Sequence, residues 1–113
     1  MKFLVLMYQD ERIWRDASPQ EQEQYYAEHE AFSTAVPQAG CTLLGGEALA
    51  GVASATTVRR RGDEVAFTDG PFAETAEQLG GFYLLDAPNL DAVTELVRLL
   101  PEYTLEIRPV VEM

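Results

Sequence analysis

Lys2-Phe3-Leu4-Val5-Leu6-Met7-Tyr8 is apolar apart from its first residue. So short a run without polar alternation predicts a central strand covered on both faces. Gln9 to Ala17 has no clear period and reads as a loop, with Trp14 placed to cover a sheet edge or a pocket mouth. Ser18-Pro19-Gln20-Glu21 then predicts a helix start: Ser18 as N-cap, Pro19 as first helical residue and Glu21 as the reciprocal partner of a capping box. Tyr25, Phe32 and Val36 fall at helical spacing, with His29 on the same stripe, and Pro37 and Gly40 are expected to end the helix near Val36. Residues 41–46 predict a second strand stopped by Gly45-Gly46, and Glu47 to Ala55 an irregular loop able to line a cavity. Thr56 to Arg60 and Glu64 to Thr68 predict a hairpin about Gly62-Asp63. Gly81 to Ala87 predicts another strand. Asn89 caps a second helix with Val93, Leu96, Val97 and Leu100 on its apolar stripe, ended by Pro101. Tyr103, Leu105 and Ile107 alternate with Thr104, Glu106 and Arg108 in a half-buried last strand.

With the hairpin set aside as an insertion, this order is βαββαβ. It predicts a ferredoxin-like α+β fold, an antiparallel sheet with two helices on one face, as a single domain over residues 1–113. The other face of that sheet needs cover, from loops or from a second copy of the chain. No repeat or low-complexity segment interrupts the 113 residues, which are enough for one proper core.

The formal net charge of −11 argues against nucleic-acid binding, which needs a basic face to displace counterions, and disfavours anionic membranes. A homodimer of so acidic a chain requires an apolar interface. Cys41 is the lone cysteine, so no intramolecular disulfide forms; it reads as a small buried hydrophobe. No apolar run approaches a membrane span and no basic leader precedes one, so the cytoplasm is the expected location. Nucleotide-loop, zinc-protease and serine-hydrolase motifs are absent, and one histidine excludes a multi-histidine metal site within one chain. Neither a cofactor nor a metal is expected, although Asp69, Glu74 and Glu77 are conceivable ligands for a hard cation.

Candidate chemistry rests on one imidazole and a few carboxylates. His29, among Tyr25, Phe32 and the sheet, titrates according to its burial and to any neighbouring acid. It reads either as a hydrogen-bonded core histidine or as a general base. Asp69 opens the turn Asp69-Gly70-Pro71, as a turn-capping residue or as an acid at a site. A helical turn over residues 72–79 would put Glu74, Glu77 and Gln78 on one face. Tyr8, Tyr25 and Tyr83 are candidates to line one cleft with apolar bodies and polar tips. Arg59, Arg60 and Arg61 read as a solvated hairpin edge or as an anion-binding group.

Asp69-Gly70-Pro71-Phe72-Ala73-Glu74-Thr75, followed by Gln78-Leu79-Gly80-Gly81-Phe82-Tyr83-Leu84, resembles the signature of the YCII-related family, in its DGPF-domain subgroup. The resemblance extends through Lys2 to Tyr8, Leu44 to Leu49 and Glu106 to Glu112. It implies a dimeric α+β barrel in which two sheets pack face to face and leave clefts. It also implies a catalytic dyad of a histidine on the first helix and an aspartate just before the proline that ends the second. His29 matches the first place; the second is held by Leu100, so an acidic partner would have to be Asp69 or Glu74. Two functions follow. One is a small-molecule binder or cofactor-independent enzyme, with His29 and Asp69 as catalytic groups and Tyr8, Tyr25, Glu74, Gln78 and Tyr83 around the ligand. The other is a regulatory module that binds an extracytoplasmic-function sigma factor without touching DNA. A structural dimer with no site ranks below both.

Overall fold

In the computed structural model, which describes residues 1–113, the apolar run forms strand β1 (Lys2–Gln9), central in a four-stranded sheet of order β2-β5-β1-β6. Its neighbours are β5 (Gln78–Asp86) and β6 (Thr104–Pro109), and β2 (Thr42–Ala48) lies outside β5; every pairing is antiparallel. Helices α2 (Pro19–Gln38) and α3 (Leu90–Leu96) cover one face of this sheet. There Phe3, Val5 and Met7 of β1 and Leu85 of β5 meet Phe32 and Val36 of α2 and Val93 and Leu96 of α3 in the core. Strand parity sends Leu4 and Leu6 the other way, opposite Leu84 and Phe82 of β5; these four are half-buried on a face that carries no helix. The architecture is a mixed α+β one, a single layer of helices on an antiparallel sheet, and the body is only 18 Å thick along its shortest axis. No helix is long and apolar enough to cross a membrane.

Local sequence accounts for the helix starts. Ser18 accepts from the Glu21 amide at 3.1 Å and Glu21 accepts from the Ser18 amide at 3.0 Å, closing the capping box. Asn89 accepts from the Ala92 amide at 3.0 Å. Residues 56–69 form the hairpin, β3 (Thr56–Arg61) and β4 (Glu64–Asp69), a two-stranded sheet separate from the main one.

Several expectations are corrected. Residues 9–17 are not a loop: Asp10 caps a short helix, α1 (Glu11–Arg15), by accepting from the Arg12 amide. Pro37 does not end α2 but lies in its last turn, where Gln38 follows it and the Ala39 amide closes onto Ala35 and Val36. Gly45-Gly46 does not stop β2; that pair and Gly80-Gly81 both lie inside strands. One glycine of each pair permits a close approach. A Cβ on Gly46 would stand 2.5 Å from the Tyr83 ring, and one on Gly81 would stand 2.9 Å from the Glu47 carbonyl. Residues 72–79 form no helical turn, and Gln78 is instead the first residue of β5, paired with Gln9. Gly70 takes a φ of +92° despite the proline that follows it.

Candidate functional site

His29 sits one turn before Phe32 on the inward stripe of α2, over the ends of β5 and β6. Strand parity brings two tyrosines up to meet it. Tyr83 shares the inward face of β5 with buried Leu85, and Tyr103 immediately precedes β6, in phase with inward-packed Leu105 and Ile107. The His29 Nδ1 lies 2.7 Å from the Tyr83 hydroxyl, and its Nε2 lies 2.8 Å from the Tyr103 hydroxyl. Both ring nitrogens are therefore held by phenols, and no carboxylate bonds the imidazole. Tyr83 is fixed in turn by packing on Phe32 (ring centroids 4.8 Å apart) and by the missing side chain of Gly46.

One turn earlier on α2, Tyr25 accepts from the Gln9 side-chain amide at 2.8 Å, and its ring stands 6.1 Å from that of Tyr103. Trp14 of α1 meets the Tyr25 ring edge-on at 5.6 Å. Helix α1 is pinned where it is by Glu11. The Glu11 amide donates to the Gln78 side chain at 3.2 Å, and its carboxylate accepts from the Val52 amide at 2.7 Å. These groups enclose an open cavity of about 850 Å³, with His29, Tyr25, Tyr83, Tyr103 and Trp14 on its wall. That volume suits a small organic ligand.

The electrostatics of the wall favour neutral groups. Burial lowers the His29 pKa from its ordinary 6.5, so the ring is uncharged at neutral pH. Burial raises the Tyr83 pKa, partly countered by the nearby Ser33 hydroxyl. Tyr103 is pushed up to about 12, first by burial and then by the neighbouring Tyr25, Tyr83 and Glu28. A neutral imidazole has one N–H donor and one acceptor nitrogen. One tyrosine must then donate to His29 while the other accepts from it, and the accepting tyrosine keeps its own O–H free. The three side chains can thus relay a proton by exchange of the imidazole tautomer: one enters at the hydroxyl that donates to His29 as the accepting hydroxyl gives up its free O–H proton, so that both tyrosines and the ring end neutral.

Of the residues singled out from the sequence, His29, Tyr25, Gln78 and Tyr83 are brought together on this wall. Tyr8 is not among them: it points from the opposite face of the sheet, where its hydroxyl stands 3.5 Å from the Glu106 carboxylate. Asp69 ends β4 opposite Thr56, exposed, and Glu74 is exposed in the following segment; neither reaches the cavity. Asp69, Glu74 and Glu77 form no cluster able to hold a metal ion. Arg59 is exposed and donates to the Phe72 carbonyl at 2.9 Å, tying the hairpin to the Asp69–Phe72 turn. Tyr103, the second partner of His29, was not foreseen as a site residue. Its inward alternation with Leu105 and Ile107 was the available signal.

The whole chain, residues 1–113, matches the YCII-related domain. An uncharacterised protein of Rhizobium meliloti (strain 1021) is 38% identical to it over 99 residues, which make up 87% of this chain and 78% of the relative.

Proposed function

The chain belongs to the YCII-related family, and from that premise we propose that it is a small-molecule-binding, enzyme-like homodimer that works without a cofactor. The carrying observation is the Tyr83–His29–Tyr103 hydrogen-bonded chain on the wall of the 850 Å³ cavity. His29 is the central group of the site, paired with two phenols where the family resemblance implies an acid. Tyr25 and Gln78 complete the wall. Asp69-Gly70-Pro71-Phe72 supports membership of the DGPF subgroup, but Asp69 and Glu74 stand outside the cavity and have no part in this reading. The sheet order β2-β5-β1-β6, with β3 and β4 left aside, supports a ferredoxin-like arrangement. The uncovered Leu4, Leu6, Phe82 and Leu84 support a second copy packed on that face as a dimeric barrel, which would put the apolar interface where an acidic chain needs one.

A ligand screen by thermal shift tests this. A compound at one hundred times its Kd stabilises the native state by about 2.7 kcal/mol. Wild type should show such a shift with at least one cavity-sized compound, and His29→Ala, confirmed folded by circular dichroism, should lose it. A shift that survives in His29→Ala removes His29 from the site.

A second reading, a module that binds an extracytoplasmic-function sigma factor, is favoured by one observation. The hairpin and the turn after it expose Val58, Phe67 and Phe72, the last two at 72% and 77%. Under that reading His29→Ala abolishes nothing, and capture of the sigma factor persists.

A further inference from the structure

The cavity described above carries an indication of what it binds, provided the small-molecule reading holds. Its polar floor is the pair of tyrosine hydroxyls flanking His29, at 2.7 and 2.8 Å from the ring nitrogens. Its sides are the rings of Trp14, Tyr25 and Tyr26 together with Tyr103. The ionisable groups on the wall outside this floor are Glu11, Glu47 and Arg15. Glu11 is committed to the Val52 amide. We infer that the site takes an uncharged ligand with an aromatic body and a single hydrogen-bond acceptor, such as an aryl ketone, and that this acceptor selects the tautomer of His29.

The selection follows from counting protons. With the proton on Nε2, His29 donates to Tyr103 and accepts from Tyr83, so the free O–H is that of Tyr103. With the proton on Nδ1, the roles reverse and the free O–H is that of Tyr83. A ligand carbonyl can accept only from the hydroxyl that is free, so it fixes the position of the imidazole proton. An anionic ligand would be best served by an imidazolium, which burial of His29 opposes and which would need both tyrosines as acceptors; it would also enter a chain of net charge −11. A cationic ligand finds no carboxylate on the floor.

His29 is the one histidine of the chain, so ¹⁵N-histidine labelling reports its tautomer without ambiguity. Acetophenone, benzoate, benzylammonium and α-methylstyrene are titrated into the labelled protein; they share a size and differ in charge or in the acceptor. Acetophenone should bind about tenfold more tightly than each of the others, the worth of one good hydrogen bond. Its binding should drive the ring to one tautomer. That tautomer names the tyrosine whose change to phenylalanine must then cost about tenfold: Tyr103→Phe if Nε2 carries the proton, Tyr83→Phe if Nδ1 does. Equal binding of benzoate, benzylammonium or α-methylstyrene overturns the ligand class while leaving a binding cavity in place. A mismatch between the tautomer and the sensitive tyrosine overturns the selection. Failure of all four compounds to bind at millimolar concentration overturns both this inference and the small-molecule reading.

Discussion

Gly46→Ala couples the sheet to the site more directly than any other single change. The new methyl group would stand 2.5 Å from Cδ1 of Tyr83 and 2.8 Å from the backbone carbonyl of Phe82. Ordinary carbon contacts begin near 3.5 Å. The carbonyl belongs to the β2–β5 ladder and cannot give way, so the Tyr83 ring has to move. Tyr83 is wedged against Phe32 and bonded to His29, so its displacement breaks packing on one side and the 2.7 Å bond on the other. Overpacking of this kind costs about 1–3 kcal/mol. For a chain of this size each kcal/mol lowers Tm by roughly 4 °C, so calorimetry should show a fall of about 4–12 °C. Gly45→Ala is the internal control. It lies next door in the same strand, at a negative φ, with nothing within 4 Å of the added methyl. Its Tm should stay within about 2 °C of wild type, since surface changes free of such contacts cost under about 0.5 kcal/mol. The His29 ring ¹⁵N signals should shift in Gly46→Ala and hold still in Gly45→Ala. Equal behaviour of the two variants would refute the claim that Gly46 exists to admit Tyr83.

Two further outcomes follow from the geometry. Ser18→Ala removes one half of a complete capping box and should cost about 1 kcal/mol in urea unfolding, with no change in ligand binding. His29 is held below its ordinary pKa by burial, so the native state binds fewer protons than the unfolded chain as the pH falls below 6.5. Its contribution to stability is therefore full above that pH and declines on acidification, by at most about 1.4 kcal/mol per pH unit. Urea unfolding of wild type and His29→Phe at pH 7.5, 6.5 and 5.5 isolates it. The wild type should lose stability relative to the variant on going down; a constant difference would show that the ring is not protected from protonation.

Elements whose cause is local were legible in the sequence. The apolar run of β1, the Ser18 and Asn89 caps and the hairpin about Gly62 all depend on residues within a few positions of one another. Elements decided at a distance were not. Helix α1 has its cap in Asp10, but what holds it against the body is Glu11 reaching Val52 and Gln78, 41 and 67 residues away. Gly45-Gly46 reads as a stop because glycine is a poor strand former. The structure keeps the pair in β2, where Tyr83 of the neighbouring strand fills the space that a Gly46 side chain would take. The i, i+3, i+4 spacing of Glu74, Glu77 and Gln78 fits a helix, yet pairing of Gln78 with Gln9 claims that residue for the sheet.

The site was half legible, and strand parity accounts for the division. His29 followed from the stripe of α2. Tyr83 follows from Leu85 two residues on, and Tyr103 from Leu105 and Ile107, all on the inward side. Parity also removes Tyr8: Phe3, Val5 and Met7 point inward, so Tyr8 points out, toward Glu106 on the uncovered face. What parity does not supply is the identity of the groups that meet across α2, β5 and β6. The sequence offered a histidine in search of a carboxylate, because the family resemblance implies a histidine–aspartate dyad whose second place Leu100 holds, leaving Asp69 or Glu74 as the expected partner. The fold leaves both of these exposed and gives the imidazole two phenols instead. The consequence is chemical. A carboxylate partner would stabilise an imidazolium and make His29 a base of ordinary kind. Two protonated phenols with raised pKa values stabilise the neutral ring, so proton movement here conserves charge, entering at one hydroxyl and leaving at the other.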